Sequence, residues 1–123
     1  MSVLNPTAGI TNLLEMVGIE SEEELFTSTT KLATDSPLAI INMQVWRALD
    51  DYRDGERSFR ENVLKTAEEA TQQLDNVDSG RTPDASWFTH YAKNAADAQT
   101  KMTEAVSKLH NLVAVRRALL AVA

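Results

Sequence analysis

The chain has no cysteine. That removes disulfides, a thiolate nucleophile and a cysteine zinc site. The four glycines are isolated, so no glycine-rich loop is available to cradle a phosphate. Histidine occurs only as His90 and His110, 20 residues apart. On one helix they point to opposite sides and cannot share a metal ion. Neither lies in a Glu-x-x-His or His-x-x-x-His pattern. No serine or threonine has the context of a nucleophile elbow. No apolar run approaches the roughly 18–20 residues that cross a bilayer. The opening Met1-Ser2-Val3-Leu4-Asn5-Pro6 lacks a basic stretch ahead of an apolar one. These absences predict a protein that is not an enzyme. They also predict no cofactor, metal or identifiable small molecule, and no integral membrane segment. The expected location is the cytoplasm, with signal-peptide-independent export as the alternative.

Basic charge is also short. Twelve lysines and arginines against 18 acids leave a formal charge of −6, which argues against nucleic acid as a partner. The balance is uneven along the chain. Residues 1–36 carry Glu15, Glu20, Glu22, Glu23, Glu24 and Asp35 against Lys31. Residues 85–123 carry Lys93, Lys101, Lys108, Arg116 and Arg117 against Asp97 and Glu104. An acidic front can therefore lie against a basic tail, or remain a solvated face.

What is present is helical periodicity. With 123 residues and 43% hydrophobic content, the chain is expected to form one helical domain over 1–123. Asn5-Pro6 reads as a cap and first-turn proline, Ile10, Leu13, Leu14 and Val17 as one apolar face, and Gly18 as a stop. Ser21-Glu22-Glu23-Glu24 reads as a capping box opening a second short helix, weakened by Thr27-Ser28-Thr29-Thr30. These two helices occupy 1–36. Asp35-Ser36-Pro37 opens a long helix expected over 37–77. Its stripe is Leu38, Ile41, Val45, Leu49 and Tyr52, then Phe59, Val63, Ala67, Ala70, Leu74 and Val77. Between the two parts lies a charged waist holding Gly55. Charge pairs at helical spacing, such as Asp50 with Arg53 and Glu56 with Arg60, favour a continuous helix there, with room for a kink, and a break is the alternative. Residues 78–84 carry turn chemistry, with Asp84 or Thr82 as the candidate cap of a last helix over 85–123.

That last helix holds a heptad seam of Phe88, Tyr91, Ala95, Ala98, Met102, Ala105, Leu109, Leu112, Arg116 and Leu119. Beyond Leu109 it becomes apolar all round, through Val113, Val115, Leu120 and Val122. Two long helices joined by a short loop predict an antiparallel hairpin carrying the two short helices. Trp87 and Phe88 would then meet Leu74–Val77, and the apolar C-terminal end would return towards Leu38–Trp46.

The Asp35-Ser36-Pro37 start, with Gln44 and Tyr52 downstream, resembles type III secretion needle and rod subunits. The hairpin length is similar to that of WXG100-type secreted proteins. The turn departs from the latter pattern: it holds Ser79-Gly80, with Trp87 seven residues later, and no Trp-x-Gly. Neither resemblance carries residue roles across.

The expected function is a non-enzymatic protein–protein interaction, as an assembly subunit or adaptor, with a homo-oligomer or larger assembly as the protein partner. Candidate interface residues are Tyr52 and Arg57 in the waist, Trp87 at the hairpin end, and Leu112, Val115, Arg116, Leu119 and Leu120 at the apolar end. The rival expectation is a small-ligand-binding or catalytic bundle using Trp46, Tyr52 and His90. It requires a buried polar pocket. A third is an acidic inhibitor that meets a basic partner through residues 15–24.

Overall fold

A computed structural model describes residues 8–122; the Asn5-Pro6 cap and Ala123 lie outside the described residues. The fold is all-α, a long antiparallel hairpin with two short N-terminal helices packed on it. Helix α1 spans Ala8–Val17, α2 Glu22–Thr30, α3 Pro37–Asp78 and α4 Ser86–Ala121.

Glycine ends α1. Gly18 takes φ 82°, and the amides of Gly18 and Ile19 both return to the Leu14 carbonyl at 3.0 Å. This left-handed stop satisfies the open carbonyls of the last turn and turns Ile19 inward. Helix α2 starts on its capping box. The Ser21 hydroxyl accepts from the Glu24 amide at 3.1 Å. The Glu24 carboxylate accepts from the Glu20 amide at 3.0 Å, one residue earlier than the box predicts. The helix ends at Thr30, where Ser28, Thr29 and Thr30 all turn their hydroxyls back to carbonyls of the preceding turn. Leu32 and Ala33 therefore fall beyond it.

Helix α3 begins as expected, with Pro37 in its first turn after Ser36, although the Ser36 hydroxyl makes no capping bond. It runs unbroken through Gly55. Asp50–Arg53 closes at 2.9 Å and Glu56–Arg60 at 2.8 Å, while Asp54–Arg57 is loose at 3.8 Å. A second cause lies across the hairpin. A Cβ on Gly55 would sit 2.8 Å from Met102 Cγ and 3.1 Å from the Ala98 carbonyl oxygen. The two long helices thus meet backbone to backbone at a level where α3 has no side chain. Gly80, φ 77°, ends α3, with Arg81 N–H bonded to Asn76 O at 2.8 Å. Asp84 serves α4 from one position outside the cap. Its carboxylate accepts from the Ser86 amide at 2.9 Å, and that bond holds the Asp84 carboxyl below its ordinary value.

The main core cluster lies in the half of the hairpin away from the turn, with Ala98 a buried outlier at mid-length. Leu13 and Val17 of α1, Ile19, Leu25 of α2, Val45, Ala48 and Leu49 of α3, and Leu109 and Val113 of α4 form one buried cluster. The apolar C-terminal half of α4 does return to the start of α3, as the hairpin geometry requires. Along α4 the seam residues from Tyr91 to Leu119 are all at least half-buried, with Phe88 the exception; Trp87 takes its place.

Candidate association surface

Past Gly55 and Glu56 the hairpin is a two-helix arm in which no residue of α3 is fully buried. Its seam is polar. The half-buried positions of α3 there include Ser58, Asn62, Thr66, Glu69, Gln73 and Asn76, a three-four spacing that keeps them on one face. Ser58 and Asn62 share a shallow cleft with Asn94 and Ala98 of α4. At the far end the Gln73 carboxamide oxygen accepts from Asn76 Nδ2 at 3.0 Å and from the Asp84 amide at 2.8 Å.

The apolar stripe therefore misses the partner helix. At 100° per residue, Phe59, Val63, Ala67, Ala70, Leu74 and Val77 centre roughly a quarter-turn round α3 from the polar seam. Leu74 remains 64% exposed and Val77 52%, and Phe59, Val63 and Leu64 are exposed beside them. Phe88, expected against Leu74–Val77, is 57% exposed. Trp87 turns back on the loop: its indole N–H donates to the Asp84 carbonyl at 2.5 Å and its ring meets Phe88 edge-on at 5.5 Å. The expected meeting of apolar ends is thus corrected in the distal half. The reason is that the polar face of α3 is the one turned to α4.

Upstream, the same stripe of α3 is covered. Leu49 and Val45 lie under α1 and α2 in the core. Tyr52 lies so close to Gly9 of α1 that a Cβ there would stand 2.9 Å from Cε1 and 3.0 Å from Cζ. Burial pushes the Tyr52 phenol above its ordinary value, and Glu56 adds to this. Arg53 is tied to Glu22 of α2 and to Asp50; the Glu22 bond raises the guanidinium further. The cover ends at Glu56. Its Oε1 accepts from Arg60 Nε at 3.1 Å and Nη2 at 2.8 Å. Its Oε2 is buried with no hydrogen-bond partner among the described residues.

Arg57 points into solvent beside Asp54. Leu112 is half-buried against the core, Val115 and Leu120 are exposed, and Leu119 is half-buried. Arg116 turns inward. Its Nε donates to Oδ1 of buried Asn42 at 2.9 Å and Nη1 donates to the Val17 carbonyl at 3.3 Å. Burial lowers its pKa, with Glu24 opposing. Arg116 thus joins α1, α3 and α4. Sequence periodicity placed Arg116 in the seam, but it gave no sign of its partners, Asn42 and the Val17 carbonyl.

The residues of the ligand-site rival are not brought together. Trp46 stacks at a tilt on Phe26 at 5.8 Å beside an open groove of about 840 Å³ between α2 and α3, whereas His90 lies near the turn beside Asn94 and Tyr91. Among the described residues no group of three or more His, Asp or Glu is placed to hold a metal ion. No helix among them is long and apolar enough to cross a membrane.

Comparison with known protein families, characterised proteins and solved structures finds no match to this chain.

Proposed function

We propose that this protein is a non-enzymatic association module, an assembly subunit or adaptor whose long helices make its protein contacts. One observation carries the reading: the apolar stripe of distal α3 lies off the intramolecular seam. Residues at helical spacing that leave this much apolar surface in one strip mark an interaction site more often than a solvated face. Its shape, a ridge on an extended arm, suits another helix and offers no enclosed space for a small molecule.

The test is molar mass in solution across a concentration series, for the native chain and for a Val63→Glu, Leu74→Glu variant. The native chain is expected to exceed its 13.6 kDa monomer mass as concentration rises. The variant is expected to stay monomeric with unchanged helical content. A native chain that stays monomeric, with stripe substitutions that alter nothing, overturns the reading.

A second reading puts the contact at the apolar C-terminal end, where Val115 and Leu120 are exposed and Val122 is 82% exposed. It predicts that Leu120→Glu, and not the stripe variant, abolishes association.

A further inference from the structure

The exposed stripe has a size pattern that reads alike in both directions. Phe59 and Val63 lead to Ala67; Ala70 leads to Leu74 and Val77. Large side chains stand at the two ends and alanines in the middle. We propose that this stripe pairs with the same stripe of a second copy, the two α3 helices running antiparallel about a two-fold axis between Ala67 and Ala70. The inference rests on the association reading above and names the partner.

In this register Val63 lies opposite Leu74 of the partner copy, Phe59 opposite Val77, and Ala67 opposite Ala70. The alanines let the two backbones approach at the axis, and the larger residues fill the space where crossing helices diverge. A two-fold contact requires one patch to complement itself, and this patch does. The paired length, Phe59 to Val77, is about 27 Å at 1.5 Å per residue. Helix α4 sits about a quarter-turn round α3 from the stripe and leaves all of it but half-buried Ala70 exposed, so two hairpin arms combine into a four-helix bundle.

Charge points to the same register. Glu56 is 8% exposed, and its Oε2 has no partner among the described residues. It faces a groove that also holds Arg60 and Leu64, where the intramolecular cover stops and the exposed stripe begins. The antiparallel register brings the end of the partner copy's α3, at Asp78, level with Phe59, with Arg81 in the turn just beyond it on the side of Glu56. Arg81 is exposed and makes no ion pair among the described residues. A parallel pairing instead places Glu56 against Glu56 and Phe59 against Phe59, which sets like charges together and crowds bulk at the same level.

The absence of cysteine makes the register directly readable by cross-linking. A single Ala67→Cys is expected to oxidise to a covalent dimer, because the two copies of this residue flank the axis. Val63→Cys alone and Leu74→Cys alone are expected not to, since like positions stand about 16 Å or more apart along the axis. A mixture of the two is expected to give the disulfide heterodimer. Val63→Glu is expected to weaken the native dimer at least about 100-fold, because a carboxylate is then desolvated without a partner. Leu120→Glu is expected to leave it unchanged. Cross-linking of like residues at every position means parallel pairing and overturns the register. Association that survives Val63→Glu but is lost in Leu120→Glu overturns the stripe as the contact while leaving the association reading intact. A chain that is monomeric at every concentration overturns the dimer.

Discussion

Gly55 illustrates how one residue answers to two demands. Helix propensity favours alanine there by about 1 kcal/mol. The space does not, because the new Cβ would meet the Ala98 carbonyl oxygen at 3.1 Å as well as the movable Met102 side chain. Overpacking of this kind costs about 1–3 kcal/mol, so Gly55→Ala is expected to lower the urea midpoint despite its better propensity. Arg116 and Asn42 form a second single-residue test. Removing the guanidinium leaves a buried amide oxygen unpaired, at a cost of about 1–3 kcal/mol. In a denaturation cycle, Arg116→Ala and Asn42→Ala should each destabilise, and the double variant should lose less than their sum. Asp84 gives a pH signature. Its folded pKa lies below the ordinary 3.8, so its contribution is present above that value and fades as the pH falls below it. A titration followed by NMR should place this carboxyl low, and Asp84→Asn should abolish the effect. These details of Gly55 and Arg116 were closed to sequence reading, because each depends on what another helix presents at the same level.

At the scale of helices, the starts and stops were legible. Pro37, the Ser21 capping box, Gly18 and Gly80 each carry a local reason that needs no tertiary context. The α4 seam from Tyr91 to Leu119 was legible too, since its period matches one continuous face. The stripe on α3 was found as a stripe, yet its distal neighbour was misassigned. Periodicity says which residues share a face; it does not say which face the neighbouring helix takes. Ser58, Asn62, Thr66, Gln73 and Asn76 obey the same spacing as the apolar set and lack any hydrophobic signal to announce them. The consequence is an uneven stability. Amides of α3 and α4 in the arm, around 60–75 and 88–96, should exchange hydrogen at lower opening free energy than those around 42–49 and 105–113. Amide exchange by NMR or mass spectrometry checks this. Val63→Glu should deepen the contrast by removing the partner copy.

Over the whole molecule, the acidic front and basic tail meet only partly. Glu24 acts on Arg116 of the tail, whereas Glu22 pairs instead with Arg53 of α3. Much of the charge stays in solvent, and the apolar stripe rather than charge supplies the strength of the proposed contact. Association through the stripe should therefore persist at about 1 M salt, where screening acts within about 3 Å; sedimentation at low and high salt distinguishes this from an acidic face seeking a basic partner. The contact of Gly55 with Ala98 also has a mechanical consequence. It stands at the boundary between a broad packed base and a slender arm, so any bending of the arm against the base is expected to pivot there. The tip of the arm at Gly80 lies about 38 Å beyond it at 1.5 Å per residue. A rocking of about 5° at this one bare crossing would sweep the tip by about 3 Å over that lever. A side chain added at position 55 is therefore expected to displace the tip of the arm more than its base.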